Sequence, residues 1–481
     1  MKENVFSILH ISDLHKRQND DYENLLQSLK DDCNTYVSSL SITKPEIVVV
    51  TGDIIKGGNQ VEIEHQYTDA NYFLNKIVDF FLNGDKNRII LVPGNHDVDW
   101  NVSIASMIRD STSNNNKNRE KLKYVDSEIR WSWEDLCFYK IKDENIYNKR
   151  MDNFIDFYNN FYKGIKEYPK DPKEQYHIFD IPELNVSFVA YNSCYRNDHL
   201  NLTGCINPNC ISKSSADLDN LHRNGRLLIG VWHHNISGLP YENNYMDQRA
   251  LRIMIDKNIQ IGLFGHQHSC HVINELKNVI ENKRILLVSA GTLYGIKEIL
   301  PYGTKRQYNL IALNIQNNKL IFRIFLREDK SPELFEIPAW GEGGLENCLD
   351  SSWTTEITIP QKPDIGVKLD AIMKEREVTQ DDEKMINQLI TLNTKHLLVR
   401  KILLDILDKN NKHDLIYQYF IDPINTHEAV YLMNAVLELG DISRIENIMA
   451  IPLIINSNDA SVKEQLNRLK LYIKEKTHGT N

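Results

Sequence analysis

Leu91-Val92-Pro93-Gly94-Asn95-His96-Asp97 joins an apolar run to three consecutive polar side chains. The run from Ile89 to Val92 is typical of a buried strand, and Pro-Gly predicts a turn at its carboxyl end. An amide, an imidazole and a carboxylate are poor core residues, so their place directly after a strand indicates a site. Taken alone, the motif is also compatible with a polar turn, and its recurrence along the chain favours the site.

The same arrangement recurs at the ends of other predicted strands. Val5 to Ser12 is apolar and β-branched, and alternation places the following Asp13 and His15 on one side of an extended backbone. The strand that ends at Val50 leads into Thr51-Gly52-Asp53 in the same way. The polar side chains gathered at predicted strand ends are Asp13, His15, Asp53, Asn95, His96, His233, His266 and His268.

Composition narrows the class of protein. With 481 residues, 41% hydrophobic and 25% charged, the chain is an ordinary globular protein of several domains. A net charge of −10 argues against a protein that coats nucleic acid, but not against a nuclease, because bound cations and local patches set the field at a site. No apolar run approaches the roughly 18 residues of a membrane span, so no membrane association is expected. Seven irregularly spaced cysteines, and an amino terminus that leads directly into a candidate site, predict a cytoplasmic protein.

Strands that alternate with helices predict an α/β sandwich of two mixed sheets flanked by helices. We expect a catalytic domain over 1–330, with a cap segment inserted over 100–180. Residues 331–366 are rich in proline and glycine and predict a linker or covering segment. Residues 367–481 have helical periodicity and predict an all-α module. That module would bind a protein partner or a second copy of the chain, or else add packing support.

The inserted segment contains an aromatic and lysine-rich stretch, 131–166, for which we predict helix. Aromatic side chains mixed with lysine can form a stacking platform for single-stranded nucleic acid. The alternative is that they are the packed face of helices. In both cases the segment follows the candidate site directly and would form a wall or cap over the substrate.

The ligand chemistry of the strand-end residues predicts a metal centre. Imidazoles, carboxylates and one amide suit divalent transition metals, with manganese the first candidate and iron, zinc or nickel also suited. The set is too large for one four-coordinate zinc ion. It fits two ions about 4 Å apart that share a bridging carboxylate, clamp a phosphoryl group and activate water between them.

The ordered set of motifs resembles the calcineurin-like metallophosphoesterase superfamily over about residues 5–330. The motifs that match are Asp13-Leu14-His15, Gly52-Asp53, Gly94-Asn95-His96-Asp97, His233 and Gly265-His266-Gln267-His268. Many relatives have another acidic residue just after Gly-Asp, where this chain has Ile54 to Gly58. That departure is similar to a branch of bacterial phosphodiesterases and nucleases from defence systems.

The resemblance implies a role for each matched side chain. One ion would be held by Asp13, His15, Asp53 and His268. The other would be held by Asn95, His233 and His266, with Asp53 bridging the two ions. No substrate-binding residue is predicted.

The resemblance also implies the proton chemistry. His96 would donate a proton to the leaving oxygen or stabilise charge on it, and Asp97 would orient His96. The His233-His234 pair leaves two candidates for one ligand; the resemblance favours His233, with His234 as a supporting residue.

Another possibility is a structural zinc site. It would use the sequence cluster Cys194, His199, Cys205 and Cys210, although Cys-x4-Cys is a loose spacing for zinc.

The function expected from these observations is metal-dependent hydrolysis of a phosphodiester in nucleic acid or a nucleotide, with defence against phage as one setting. A phosphomonoesterase acting on protein or small molecules is the alternative within the same class. A non-catalytic scaffold that uses the carboxyl-terminal helices is an alternative of another class, and the intact ligand set argues against it.

Overall fold

The computed structural model describes residues 4–478, apart from residues 16–21, 41, 112–114, 125, 238–244, 279–282, 295–299, 301–303, 317–318, 333–336, 346–350, 359–363 and 393–396. Its strands are β1 (Asn4–Ile11), β2 (Ile47–Thr51), β3 (Ile89–Val92), β4 (Met107–Arg109), β5 (Ile129–Ser132), β6 (Cys137–Ile141), β7 (Tyr176–Ile181), β8 (Val186–Tyr191), β9 (Leu227–Val231), β10 (Ile261–Phe264), β11 (Val272–Asn278), β12 (Lys283–Ser289), β13 (Gln307–Gln316), β14 (Lys319–Asp329), β15 (Trp340–Glu342) and β16 (Ser352–Thr358).

The first eight helices lie between strands before β10, and the other eight follow one another after β16. They are α1 (Tyr22–Ser39), α2 (Gln60–Leu82), α3 (Trp100–Ala105), α4 (Asn115–Lys121), α5 (Glu144–Asn148), α6 (Asp152–Phe161), α7 (Pro208–Arg223), α8 (Gln248–Asp256), α9 (Asp364–Thr379), α10 (Asp382–Leu392), α11 (Leu397–Lys409), α12 (His413–Phe420), α13 (Thr426–Leu439), α14 (Ile442–Met449), α15 (Pro452–Ile455) and α16 (Ala460–His478).

The first sheet brings three predicted strand ends to one edge. Its order is β15-β14-β13-β1-β2-β3, and β16 also pairs with β14. β1, β2 and β3 are parallel, with Ile11 opposite Val50 and Thr51 opposite Val92. Because these strands end at the same level, the residues that follow them meet at one edge of the sheet.

The second sheet supplies the remaining strand ends. Its order is β11-β12-β10-β9-β8-β7, and β8, β9, β10 and β12 run parallel. Val231 at the end of β9 lies opposite Leu263 of β10. Apolar side chains from both sheets and from α1, α2 and α6 form one continuous core. The predicted sandwich of two mixed sheets flanked by helices is confirmed.

The insert departs from the prediction in its first part. Residues 131–141 were predicted to be helical, and that prediction is wrong, because β5 and β6 form an antiparallel hairpin with Trp131 opposite Phe138. Together with β4 the hairpin makes a separate three-stranded sheet. Short aromatic runs fit a strand as well as a helix, so periodicity did not separate the two. Helix does follow, in α5 and α6.

The chain divides into two compact units, Met1–Gln361 and Lys362–Asn481. Two stretches of the segment 331–366 are the strands β15 and β16, both paired with β14. The second unit holds α9 to α16 and packs around two apolar clusters, one that includes Leu389 and Leu403 and one that includes Leu432 and Ile445. Within the described residues, no helix combines the length and the apolarity that crossing a membrane requires.

Candidate metal centre

Five of the predicted ligands have left-handed backbone conformations. The φ angles are 52° at Asp13, 46° at His15, 50° at Asp53, 78° at His266 and 56° at His268. A non-glycine residue in this region costs of order 1–3 kcal/mol, and such residues cluster where function requires them. The left-handed turns follow the strands directly, so they aim the side chains into the space between the two sheets' carboxyl ends.

Four side chains form the first ligand group. One candidate ligand atom from each of Asp13, His15, Asp53 and His268 lies within 4.8 Å of the others. Nε2 of His268 is 3.0 Å from Nε2 of His15 and 3.4 Å from Oδ1 of Asp13. Asp13, His15 and Asp53 are buried, and His268 is partly buried. This is the set of four that the resemblance assigns to one ion.

Three side chains form the second group, beside the first. Oδ1 of Asn95 lies 2.9 Å from Nε2 of His233 and 2.9 Å from Nδ1 of His266. Asp53 lies between the groups, because its Oδ1 is 3.4 Å from His233 and its Oδ2 is 3.9 Å from Nε2 of His15. The structure therefore brings all seven predicted ligands together, with Asp53 in the position of a bridge.

Burial sets the protonation states that metal binding needs. It lowers the pKa of His15 and of His266 to about 3, so both imidazoles are neutral at physiological pH. Burial raises the pKa of the Asp13 carboxyl, but the neighbouring histidines, His268 first, followed by His233 and His15, together outweigh that effect, and the pKa is lowered. The pKa of Asp53 is lowered too, since nearby histidines, His233 first, outweigh its burial. Neutral imidazoles and ionised carboxylates are the forms that ligate cations.

A buried polar atom without a partner indicates whether divalent ions fit here. Oδ1 of Asp13 is buried, has no hydrogen-bond partner and faces Nε2 of His15 and of His268. Leaving such atoms unpaired costs free energy, and so does holding carboxylate and imidazole lone pairs against one another. Cations between the two groups would relieve both costs, so the donor set fits two divalent ions.

Residues outside the predicted set hold the ligands in place. Nδ1 of His233 donates to the carbonyl of Thr51 at 2.7 Å, which turns Nε2 toward Asn95. Oγ1 of Thr292 donates to the carbonyl of Asp13 at 2.6 Å. The sequence carried no local signal for either contact, because the partners are far apart along the chain.

His96 lies at the open side of the first ligand group. Its half-buried ring meets the ring of His15 edge to face, with centroids 4.8 Å apart. Its Nδ1 is 3.0 Å from the carbonyl of Lys56 and donates to it, so Nε2 is the atom that can exchange a proton with a substrate.

Asp97 was predicted to orient His96, and the structure gives it other contacts. Its buried carboxylate accepts from the peptide N–H groups of Gly94, Ile54 and Ile55 and from the hydroxyl of Tyr67. Asp97 therefore stabilises the turn that carries Asn95 and His96, and the Lys56 carbonyl orients the ring. Burial, followed by the charge of Asp53, raises the pKa of Asp97 to about 6.

His234 is held by protein groups. Its Nδ1 lies 2.9 Å from Oγ of Ser193, and its Nε2 lies 3.3 Å from Nδ2 of Asn197. Both ring nitrogens are therefore engaged, which leaves His233 as the candidate ligand of the pair. His234 packs beside His266, with ring centroids 5.0 Å apart.

The structure does not support the alternative zinc site. The thiols of Cys194, Cys205 and Cys210 each donate to a backbone carbonyl, and burial raises the pKa of Cys205 and of Cys210 to about 12. Zinc takes thiolates. Among the described residues, the group of His, Cys, Asp and Glu that converges on a point is the first ligand group.

Comparison with known proteins agrees with this geometry. The sequence model of the calcineurin-like phosphoesterase family matches residues 6–270, more than half of the chain. The chain belongs to the calcineurin-like phosphoesterases, a family of dinuclear metal-dependent enzymes.

One curated relative and two solved structures are similar to the chain. The uncharacterized metallophosphoesterase-like protein YydB of Bacillus subtilis (strain 168) is 24% identical over 290 residues, which are 59% of this chain and 53% of that protein. The chain thus spans about half the length of this relative. A dimetal phosphatase from Danio rerio aligns with 74% of this chain and 99% of its own, at 11% identity and a TM-score of 0.38. GAP50 of Plasmodium, described as the anchor in the inner membrane complex, aligns with 75% and 90%, at 11% identity and a TM-score of 0.33.

Proposed function

We propose that this protein hydrolyses phosphodiester bonds in nucleic acid or a nucleotide, using two divalent transition-metal ions held by the seven ligands. Manganese is the ion we expect first, because imidazole, carboxylate and amide ligands without thiolate suit it. Bound ions would polarise the phosphoryl group and activate the attacking water. Defence against foreign DNA is the biological setting that we propose for this activity.

The observation that carries the proposal is the placement of His96. Its ring sits beside the first ligand group, and its Nδ1 is fixed by the Lys56 carbonyl. A protonated Nε2 at this position would donate to the oxygen that leaves phosphorus. Such help matters most when the leaving group is a sugar alkoxide, as in nucleic acid, because an alkoxide is a poor leaving group.

The chain's other residues supply orientation and charge. Asp53 keeps ionised oxygens toward both ligand groups, and Asp97 keeps the His96 turn in place. Neutral His15 and His266 leave their lone pairs free for ligation at physiological pH.

The test is turnover in Mn²⁺ of a matched pair, an aryl phosphodiester and the corresponding monoester, with single- and double-stranded DNA in parallel. We expect the diester and DNA to be hydrolysed, and His96→Ala to lose activity on both. The matched control is His65→Ala, a histidine on the exposed side of α2. If only the monoester turns over, the protein is a phosphomonoesterase and the nuclease proposal is wrong. If neither turns over and no metal binds, the scaffold alternative is correct.

A further inference from the structure

Two sets of aromatic side chains in the insert differ in their exposure. One set is the buried face of α6 and the residue after it, Phe154, Phe157, Tyr158, Phe161 and Tyr162. The other lies at the β5–β6 hairpin and just before it, where Trp133 is 78% exposed and Tyr124 is 63% exposed. The first set is accounted for by packing, and the second is not.

The exposed aromatic residues border a cleft of about 760 Å³. Two segments line it, one with Tyr124, Trp131 and Trp133 and the other with His199, Asn201 and Thr203. The Trp133 ring meets Trp131 at an interplanar angle of 86°, with centroids 5.7 Å apart, and most of the Trp133 surface is accessible. Accessible indole and phenol rings are surfaces on which proteins stack nucleobases.

A buried ion pair makes the cleft a preformed feature. Nε of Arg130, next to Trp131, donates to Oδ2 of Asp198 at 2.7 Å, and the hydroxyl of Tyr147 donates to the same oxygen at 2.7 Å. Arg130 and Asp198 are 3% and 0% exposed. The pair joins β5 to the segment that supplies the opposite wall, so the walls hold their spacing without a ligand.

A cationic side chain is available to a phosphate at this place. The stretch 117–123 carries four basic residues and one acidic residue, and the stretch 126–135 carries four acidic residues and one basic residue. Lys123 is exposed and lines the cleft, together with Glu134. Cationic side chains beside stacking surfaces are the combination by which proteins bind single strands.

Contacts through the protein interior join the His199 side of the cleft to the metal centre. Asn197, two residues before His199, has its Nδ2 3.3 Å from Nε2 of His234, and His234 packs against His266. From the reach of two residues and these contacts, the cleft lies on the order of 15 Å from the ligands. A few nucleotides of a single strand span that distance.

We propose that this cleft is a base-stacking subsite for single-stranded nucleic acid, in which Trp133 stacks on a base a few nucleotides from the phosphate at the metal centre. The proposal rests on the function proposed above. It assigns to Trp133 and Tyr124 the binding of substrate, with no part in the chemical step.

A second copy of the chain is a less suitable occupant. The cleft is concave and its lining includes polar residues, whereas interfaces between copies are flatter and more apolar.

Binding without cleavage tests the subsite directly. The full chain is mixed in EDTA with fluorescently labelled single-stranded oligodeoxythymidylate, and the dissociation constant is measured by anisotropy. We expect Trp133→Ala to weaken binding about 5- to 150-fold, the loss of one stacked base, and Trp133→Phe to retain most of the affinity. The control variant is Leu136→Ala, because Leu136 is 69% exposed on the same hairpin. An oligomer of equal length with abasic sugars has the same phosphates and should bind the parent protein at least as weakly as the oligodeoxythymidylate binds Trp133→Ala, because it loses the contact with Tyr124 as well.

A second measurement separates failure of the subsite from failure of the proposed function. Turnover of a small aryl phosphodiester in Mn²⁺ should be equal in Trp133→Ala and the parent, since that substrate does not reach the cleft. Equal oligonucleotide binding by Trp133→Ala and the parent would overturn the subsite, whatever the aryl diester does. Loss of oligonucleotide binding in Trp133→Ala, together with no diester turnover in the parent, would keep the subsite and reject the proposed function.

Two further experiments separate the proposed subsite from misfolding of the variant and from self-association of the chain. Oligodeoxythymidylate bearing 5-iododeoxyuridine should crosslink on irradiation to Trp133 or Tyr124 in the unsubstituted protein, as mapped by mass spectrometry; crosslinks confined to other regions overturn the subsite. Sedimentation should show the same mass for the parent and Trp133→Ala. A parent dimer that dissociates in the variant, with unchanged oligonucleotide binding, would make this face a contact between copies and overturn the proposal.

Discussion

The peptide N–H of His96 donates to Oδ1 of Asp53 at 2.9 Å, so the carboxylate between the two ligand groups also positions the residue proposed as the acid. Asp97 reinforces the link, because its carboxylate accepts from Gly94 before His96 and from Ile54 after Asp53. The turns after β2 and β3 are thus joined by side-chain hydrogen bonds. The proposed metal binding and the proposed proton donation therefore depend on the same pair of turns.

His96→Ala should slow diester hydrolysis by about 10²–10⁴-fold, the usual contribution of a general acid. The loss should be larger for an alkyl or nucleoside leaving group than for an aryl one, because an aryloxide is the better leaving group and needs less help from an acid. The dependence of the loss on the leaving group is measured by comparing the rates of His96→Ala and the parent on a series of diesters with increasingly basic leaving groups. An equal loss across the series would mean that His96 acts on binding and donates no proton.

His233 and His234 should differ in their effect on metal content. His233→Ala removes a ligand and should lower the metal bound per chain, whereas His234→Ala should leave that number unchanged, because protein groups engage both nitrogens of His234. Inductively coupled plasma mass spectrometry on dialysed protein gives the metal content. If His234→Ala loses as much metal as His233→Ala, the ligand has been assigned to the wrong histidine.

Gly94→Ala should damage the centre without removing any ligand. A Cβ on Gly94 would overlap the carboxylate and the peptide nitrogen of Asp53. We expect diester turnover to fall by about 10²-fold and the free energy of unfolding to fall by about 1–3 kcal/mol. Gly344→Ala is the matched control, because a Cβ there meets no atom within 4 Å. Similar kinetics for the two variants would contradict the described packing of the turns.

Glu428→Ala should destabilise the unit Lys362–Asn481. Oε1 and Oε2 of Glu428 accept from Nε and Nη2 of Arg400 at 3.0 and 2.7 Å, and both side chains are buried. Removing one partner of a buried pair costs about 3–5 kcal/mol. Glu383→Ala, which breaks an exposed pair with Lys412, should lower the free energy of unfolding by less than about 1 kcal/mol. Urea unfolding followed by circular dichroism measures the free energy of unfolding of both variants. Equal losses would contradict the burial of the pair between Arg400 and Glu428.

The strand ends were predictable because their information is local. An apolar run, a turn and a ligand such as His15 or Asn95 lie within a few residues of one another, and parallel strands bring such ends to one edge. The positive φ angles at Asp13 and Asp53 were not predictable, since neither residue is glycine. They arise from the surrounding structure, which holds the turns in place.

The features that the sequence did not predict depend on contacts between residues that are far apart along the chain. Tyr67 donates to Asp97 from the middle of α2, and the carbonyl of Lys56 replaces Asp97 as the partner of the His96 ring. The hairpin of β5 and β6 was mistaken for helix because Trp131 and Phe138 satisfy either period. The exposure of Trp133 likewise depends on the sheet that carries it and not on its sequence neighbours.

The most direct test of the dinuclear centre is to titrate Mn²⁺ into chelator-stripped protein while metal binding and aryl phosphodiester turnover are both followed. We predict two equivalents bound per chain, with turnover rising as the second equivalent binds, and a reduced stoichiometry with no turnover in Asp53→Asn. Full turnover at one equivalent, or two equivalents retained with full turnover in Asp53→Asn, would contradict a centre in which Asp53 bridges two ions.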